Sequence, residues 1–331
     1  MKETSVPGLS LVLIRDAKIY WRRGFGVRDL ERRLPVDDDT VFEAASMSKT
    51  VFAYLVMKLA ERGVIDLDAP LTRYTNTRYV SKDPRLDLIT ARHVLMHATG
   101  FPNWRSADSP MAIDFTPGQK FSYSGEGYSY LQSVITHLTG HVDSNHCGTF
   151  ESDVRFCATD IADYMQTRLL RPFRMNSSTY LWSEQLAKNL ARPHGEHGEP
   201  QPFHKTTAVD ESRYASSGGL LTTPTDFAKF LIEVMEPPPV DEFHLSKKSR
   251  DEMIRAHIAV GNYDGYSVSW GLGWRIVRMA QHGLIGHGGA NPGFQCFAEV
   301  SPSHQSGFVI MTNADSGVNL LKLLAPTVIG S

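Results

Sequence analysis

Several features that mark particular classes of protein are scarce or missing in this 331-residue chain. It has three cysteines, too few for a fold that depends on a dense set of disulfides. Its 34 Lys and Arg residues nearly balance its 36 Asp and Glu residues, so the net charge of −2 gives no general attraction to nucleic acid. No apolar run approaches the roughly 18 residues that a membrane-spanning helix needs. The composition therefore indicates a globular protein with no nucleic-acid partner and no membrane span.

The cysteines and the first residues leave the cellular compartment open. Cys147 and Cys157 lie in one polar segment, and Cys296 lies in a strand-like run. A Cys147–Cys157 disulfide would indicate a periplasmic or secreted protein, whereas two free thiols would agree with the cytoplasm. The opening residues, MKETSVPGLSLVLIRD, lack the apolar core of a signal peptide. We expect a cytoplasmic protein, or a chain that begins after a removed leader.

Hydrophobic periodicity predicts strands at both ends of the chain and helices between them. The predicted strands are 9–14 and 18–27, joined by a turn at Asp16 and Ala17, and 267–277, 293–300 and 306–313. The predicted helices are 46–63 with Ser46 as N-cap, 90–98, 127–139, 161–173, 223–235 and 317–328. This segregation favours an α+β fold, with one antiparallel sheet built from the N- and C-terminal segments, flanking helices and a mostly helical middle region.

The strongest chemical signal is Ser46-Met47-Ser48-Lys49, which is the single Ser-x-x-Lys of the chain. Residues three apart share a helix face, so the Lys49 amine can reach the Ser46 hydroxyl. A serine hydroxyl is a weak nucleophile and needs such a base. The partial positive charge of a helix N-terminus would disfavour protonated Lys49 and would stabilise an oxyanion at Ser46. Taken alone, the pair also fits an N-cap serine and a surface lysine.

Two further segments could complete a site. Tyr123-Ser124-Gly125 offers a tyrosine whose pKa a nearby lysine would lower, so that it could shuttle a proton. His287-Gly288-Gly289 offers small residues at a strand edge, where a substrate backbone could approach closely. The amide of Ala290 would then be a second oxyanion donor beside that of Ser46.

Ser-x-x-Lys, Tyr-Ser-x and His-Gly-Gly, in this order, resemble the motifs of the serine β-lactamase and penicillin-binding protein superfamily. The class C β-lactamase branch, which includes family VIII esterases, is the most similar. Segments 94–102, 216–230 and 266–274 resemble other signature segments of that branch. The resemblance implies a β-lactamase-like fold and a single catalytic domain over 1–331. Residues 1–45 and 215–331 would form its α/β part, and residues 46–214 its mostly helical part.

The resemblance also implies a role for each motif residue. Ser46 would be the acylated nucleophile, and Lys49 and Tyr123 would share the general-base and general-acid work. The amides of Ser46 and Ala290 would form the oxyanion hole. The segment His287, Gly288 and Gly289 would line the substrate edge.

Two positions depart from the family pattern. Gly125 stands where the family usually has an asparagine, and Asn291 or a water is a candidate substitute for that amide. His287 stands where β-lactamases have a lysine, and an unperturbed histidine is mostly neutral at pH 7. Lys205-Thr206 is a weaker candidate for the third motif because it lacks the glycine. Gly125 removes an amide that would bind the substrate's acyl side chain and orient the lysine, and His287 weakens the expected grip on a substrate carboxylate.

We therefore expect hydrolysis of carboxylic esters or amides through an acyl-enzyme on Ser46. The alternatives are β-lactamase or D-amino-acid peptidase action on the same site, or a penicillin-binding sensor without turnover. The expected partner is a small ester, amide or β-lactam, with no cofactor, and the oligomeric state stays open.

A metal hydrolase is the main rival from the residues alone. His93 and His97 are four residues apart, and His194 and His197 are three apart. No His-Glu-x-x-His occurs, and no third ligand lies at a spacing typical of a zinc site. We therefore expect no catalytic metal. An α/β-hydrolase is disfavoured because the chain has no Gly-x-Ser-x-Gly.

Overall fold

A computed structural model describes residues 1–75, 79–80, 82–105, 111–140, 158–202, 214–263, 265–279 and 283–329. The strands are β1 (Gly8–Arg15), β2 (Lys18–Asp29), β3 (Leu34–Pro35), β4 (Phe42–Glu43), β5 (Leu221–Thr222), β6 (Ile258–Tyr263), β7 (Tyr266–Trp270), β8 (Arg275–Arg278), β9 (Gly283–Asn291), β10 (Phe294–Ser301) and β11 (Ser306–Thr312). Nine of them form one antiparallel sheet in the order β3-β2-β1-β11-β10-β9-β8-β7-β6. The other two, β4 and β5, pair as a short ribbon.

The sheet joins the two ends of the chain, as the sequence predicts. Strand β1 pairs with β11, so the N-terminal hairpin lies beside the C-terminal strands. Asp16 and Ala17 form the hairpin turn, and both have positive φ, as a tight turn between twisted antiparallel strands requires.

The helices are α1 (Ser48–Glu61), α2 (Ala91–Leu95), α3 (Gly125–Thr139), α4 (Ala158–Met165), α5 (Glu184–Ala187), α6 (Pro224–Met235), α7 (Lys247–Ile254) and α8 (Gly317–Ile329). Helix α6 packs on β1, β2 and β11, and α8 packs on β10 and β11. The described residues contain no helix that is long and apolar enough to cross a bilayer.

Alternation along β11 explains why both sheet faces are covered. Val309 and Met311 belong to the main core with Phe227 of α6. Phe308 and Ile310 belong to a second cluster with Leu320 of α8. Because successive strand side chains point to opposite faces, the two helices cover opposite sides of the sheet.

Several predicted elements differ from the structure. One is the helix predicted at 161–173, where the α-helix is Ala158–Met165 and Gln166–Leu170 form a π-helix. The predicted strand 267–277 is two strands, because residues 271–274 leave the sheet and pass against α1. Gly273 permits this approach: its φ is +88°, and a Cβ there would lie 2.4 Å from that of Ala53. Helix α1 begins at Ser48 rather than Ser46. Helix α3 begins at Gly125, two residues earlier than predicted, because Ser124 caps it by accepting the Gly127 amide.

Some predictions fall outside the described residues. They are the Cys147–Cys157 disulfide and the Lys205-Thr206 candidate for the third motif.

Candidate active site

Ser46 lies in a tight turn directly before α1. Residues Ala45–Met47 form one 3-10 turn, and Ala45 has a φ of +47°, a strained value for a residue with a side chain. The Ser48 hydroxyl donates to the Ala45 carbonyl at 2.6 Å and accepts the Leu220 amide at 3.0 Å. These bonds hold the turn and leave Ser46 partly exposed. The predicted N-cap role of Ser46 is wrong, because no side-chain cap closes α1.

Lys49 is completely buried one helical turn after Ser46. Its Nζ lies 3.2 Å from Ser46 Oγ and 2.6 Å from the Ser217 carbonyl oxygen. Burial lowers the pKa of Lys49 to about 7, because the low-dielectric interior disfavours the charged amine. The neutral amine can donate to Ser217 and direct its lone pair at the Ser46 hydroxyl. Desolvation, rather than the helix N-terminus that the sequence argument invoked, therefore accounts for the lowered pKa.

Tyr123 lies in an aromatic cluster on the other side of Lys49. Its ring centroid is 5.1 Å from Lys49 Nζ and 4.1 Å from the stacked ring of His97. Burial raises the pKa of Tyr123, and the neighbouring Ser46 hydroxyl offsets this only in part. The expectation of a lowered pKa is therefore wrong, because the effect of burial dominates. Tyr123 stays a protonated phenol and is suited to donate a proton.

His97 supports this cluster. It is fully buried, has a φ of +56°, and its Nδ1 accepts the Ser124 amide at 3.0 Å. Burial lowers the pKa of His97 well below its usual value, so the ring is neutral and fixes the start of α3. His194 is also buried, with Nδ1 against the Asn313 carbonyl. No group of three or more metal-ligating side chains occurs within the described ranges.

Strand β9 brings the third motif against the Ser46 turn. A Cβ on Gly289 would lie 2.3 Å from the Ala44 carbonyl oxygen, so glycine is required for this contact. The contact also places the next residue, Ala290, beside the turn that carries Ser46. Strand β9 pairs with β10 along this stretch, but with β8 only from Gly283 to Gly286. Within the described part of the chain, residues 287–291 therefore have no strand on the β8 side, and a substrate backbone could approach there.

His287 is buried and uncharged. Burial, with a smaller contribution from the nearby Lys49, lowers its pKa to about 3. Its Nδ1 lies 2.6 Å from the Gly288 carbonyl, and since a carbonyl only accepts, Nδ1 carries the proton. Its Nε2 is a buried acceptor with no hydrogen bond in the structure. His287 therefore supplies a free lone pair and no positive charge.

Trp104 takes the space that a side chain at position 125 would occupy. A Cβ on Gly125 would lie 2.5 Å from Cη2 of the Trp104 indole. The Gly125 amide is held at 3.0 Å by both the side-chain and main-chain oxygens of Asn103. Asn291 does not supply the missing amide, because its Nδ2 donates to Glu43 at 2.6 Å.

The structure thus brings Ser46, Lys49 and Tyr123 together and places the His287–Gly289 edge beside them. Sequence reasoning missed the Ser217 carbonyl that holds Lys49, and also the indole over Gly125. A main-chain carbonyl has no residue signature, although Ser217 does lie in the 216–230 segment that resembles the class C branch. Nothing in the sequence pairs Trp104 with Gly125.

Comparison with known proteins identifies the family and the fold. The Beta-lactamase family model matches residues 1–322, so the chain belongs to the β-lactamase family, whose members are generally serine hydrolases. A class C β-lactamase mutant has a similar structure, with a TM-score of 0.77 and 16% identity over 96% of this chain and 91% of that one. At this identity the likeness shows the fold alone, which is β-lactamase-like.

Two curated relatives match different shares of the chain. Protein flp of Staphylococcus aureus is 20% identical over 96% of this chain, which spans only 61% of that protein. Esterase EstB of Burkholderia gladioli is 34% identical over 31% of this chain and 27% of its own length.

Proposed function

We propose that this protein is a serine hydrolase that cleaves uncharged carboxylic esters through an acyl-enzyme on Ser46. The observation that carries the proposal is the Lys49 amine, which is buried, has a pKa of about 7 and lies 3.2 Å from Ser46 Oγ. A base whose pKa lies near the working pH is unprotonated in a large fraction of molecules and still has a high affinity for the proton.

The proposed reaction has two halves. Neutral Lys49 takes the Ser46 proton as Oγ attacks the ester carbonyl, and the amides of Ser46 and Ala290 bind the oxyanion. The bond to the leaving alkoxide breaks as Tyr123 gives it a proton, and Lys49 returns its proton to Tyr123. A water then attacks the acyl carbonyl of the acyl-enzyme and gives its proton to Lys49. The bond between Ser46 Oγ and the acyl carbon breaks, Lys49 returns the proton to Oγ, and the carboxylic acid is released.

The charge state of the site supports uncharged substrates. His287 is neutral at pH 7, and Lys49 is partly neutral there. No fixed cation therefore stands where the β-lactamase motif has lysine, and the buried Nε2 of His287 would repel a carboxylate. The partial match to esterase EstB is in keeping with this preference.

β-Lactamase or D-amino-acid peptidase action is the second candidate. It is favoured by the fold shared with a class C β-lactamase and by the open edge of β9. A sensor that is acylated by penicillins but not deacylated would use the same atoms.

The test is release of p-nitrophenol from p-nitrophenyl butyrate by the wild type, Ser46→Ala and Ser303→Ala. Ser303 lies in the exposed turn between β10 and β11 and controls for the substitution itself. We expect turnover by the wild type and Ser303→Ala, and none by Ser46→Ala. Turnover by pure Ser46→Ala would refute the proposal. A chromogenic cephalosporin in parallel separates the β-lactamase and sensor alternatives, because a sensor gives one equivalent of product and then stops.

A further inference from the structure

Glu43 and Asn291 form a side-chain contact beside the two oxyanion donors of the proposed reaction. Glu43 lies in β4, three residues before Ser46, and Asn291 is the last residue of β9, directly after Ala290. Asn291 Nδ2 donates to Glu43 Oε2 at 2.6 Å. The bond therefore joins the segment that leads into the Ser46 turn to the end of the strand that carries the second amide.

The main chain of Glu43 is held from two sides. Glu43 pairs with Leu221 in the ribbon of β4 and β5, and its carbonyl accepts the Cys296 thiol of β10 at 3.2 Å. Cys296 is in turn the partner of Gly289 in the pairing of β9 with β10. Glu43 therefore presents its carboxyl group to Asn291 from a fixed backbone, as a positioning contact requires.

The end of β9 has little other support. Strand β8 pairs with β9 only from Gly283 to Gly286, so among the described residues Asn291 has β10 on one side and no strand on the other. Within the same described ranges, the bond to Glu43 is the one side-chain hydrogen bond that ties residues 287–291 to the segment before Ser46. Its loss would leave this end of the strand free to shift.

Glu43 has no other charged partner that explains its position. The side chain is half-buried, and burial raises the pKa of its carboxyl group, which the bond from Asn291 offsets only in part. No cation in the described part of the chain contributes to this shift. A polar group that loses water needs a hydrogen bond in return, and Asn291 provides it.

Close contacts connect the end of β9 to the residues directly before Ser46. A Cβ on Gly289 would lie 2.3 Å from the Ala44 carbonyl oxygen. A Cβ on Gly218 would lie 3.9 Å from both Asn291 Oδ1 and the carbonyl carbon of Ala45. A shift of Asn291 would therefore move the strand end relative to the turn. An oxyanion donor is effective only when it is aimed at the place where the charge develops.

We propose that Glu43 is a positioning residue that, through Asn291, holds the Ala290 amide at the oxyanion of the Ser46 adduct. This inference rests on the proposed function, which it deepens by assigning a residue that fixes the oxyanion hole. In this role Glu43 contacts Asn291 rather than the substrate. Its effect falls on the transition state, because the oxyanion exists only once Ser46 has attacked.

The kinetic test measures kcat/KM for p-nitrophenyl butyrate in the wild type, Glu43→Ala, Asn291→Ala and the double variant. We expect each single substitution to lower kcat/KM about tenfold, which is part of the roughly 100-fold effect of losing an oxyanion donor outright. The double variant should lose no more than either single variant, because both substitutions remove the same bond. Losses that multiply in the double variant would overturn the inference, since the two residues would then act independently.

Two further variants control for the substitution itself. Glu43→Gln should keep most of the wild-type kcat/KM, because its side-chain oxygen can still accept the Asn291 amide. Glu236→Ala removes an exposed glutamate directly after α6 and should leave kcat/KM unchanged. A loss in Glu43→Gln as large as that in Glu43→Ala would contradict a role through this hydrogen bond.

A boronic acid separates positioning from a loss of folded protein. Butylboronic acid binds when Ser46 Oγ forms a bond to boron and Lys49 takes the Oγ proton, which leaves a tetrahedral boronate with the negative charge of the oxyanion. Its dissociation constant, measured by titration calorimetry, should rise about tenfold in Glu43→Ala and Asn291→Ala, and stay near the wild-type value in Glu43→Gln. Misfolding would lower the number of binding sites and leave the dissociation constant unchanged, and that result would overturn the inference.

The calorimetric measurement does not depend on turnover. If the wild type binds the boronate but does not hydrolyse the ester, the proposed function falls, whereas a tenfold weaker affinity in Glu43→Ala still supports the positioning role. If the wild type hydrolyses the ester and Glu43→Ala binds the boronate as tightly as wild type, the positioning role falls and the proposed function stands. A wild type that neither hydrolyses the ester nor binds the boronate would overturn both.

Discussion

Replacing Lys49 with methionine should abolish activity while making the protein gain stability relative to wild type at low pH. The folded-state pKa of Lys49 is about 7, against 10.5 for a solvated lysine, because the amine is buried. Below pH 7 the fold must carry a buried charge that the unfolded chain solvates freely. At about 1.36 kcal/mol per pKa unit, the penalty is roughly 5 kcal/mol.

The pH dependence of this stability difference separates the effect of the Lys49 charge from the other effects of the substitution. Between pH 7 and 10.5 the unfolded chain binds a proton at Lys49 that the folded chain does not, so wild-type stability rises with pH through this site. Methionine cannot titrate. The advantage of Lys49→Met should therefore shrink by roughly 2.5 kcal/mol between pH 7 and 9. The lost hydrogen bond to Ser217 lowers the variant's stability by about 1–3 kcal/mol at every pH and leaves the slope unchanged.

The assay is urea unfolding of both proteins at pH 7, 8 and 9, followed by tryptophan fluorescence. The difference in unfolding free energy between the two proteins removes the titration of all other groups. A difference that stays constant over this range, or that grows with pH in favour of Lys49→Met, would show that Lys49 is not a buried neutral amine.

Three further predictions concern the same site. The kcat/KM for p-nitrophenyl butyrate should rise through pH 7 and then level off, because Lys49 must be neutral; an inflection near pH 10 instead would indicate a solvated lysine. Gly289→Ala should lower kcat about 100-fold, since its Cβ would lie 2.3 Å from the Ala44 oxygen and displace β9. Gly283→Ala, whose Cβ would have 4.0 Å of clearance, is the control, and equal losses would count against a steric cause. His287→Gln should change kcat/KM for a neutral ester less than about tenfold, and a loss confined to carboxylate-bearing esters would reveal a charged histidine.

The elements that local patterns specify could be predicted from the sequence. The spacing of the Ser-x-x-Lys motif predicts that Ser46 and Lys49 meet, and Lys49 Nζ lies 3.2 Å from Ser46 Oγ in the structure although Ser46 precedes α1. The alternation of β11 and the turn at Asp16 and Ala17 predict the antiparallel sheet that joins the chain ends. The motif spacing, the strand alternation and the turn each depend on residues close together in sequence, whereas the pairing of β1 with β11 is predicted from the segregation of strands at the two ends of the chain.

The features that the sequence did not reveal depend on long-range packing. The Ser217 carbonyl reaches Lys49 across 168 residues, and it is a main-chain group. The pKa values of Lys49 and Tyr123 follow from burial by several elements at once. The break after β7 arises because Gly273 must pass against Ala53 of α1. Such contacts exist only once the fold is formed.

The most direct test of the central claim is to locate the covalent intermediate. The wild type is incubated with an alkyl fluorophosphonate, which leaves a stable adduct on an activated serine, and is then digested and mapped by peptide mass spectrometry. The account predicts one adduct, on the peptide that contains Ser46, no labelling of Ser46→Ala, and slower labelling of Lys49→Met. An adduct on another serine, or equal labelling of Ser46→Ala, would contradict it.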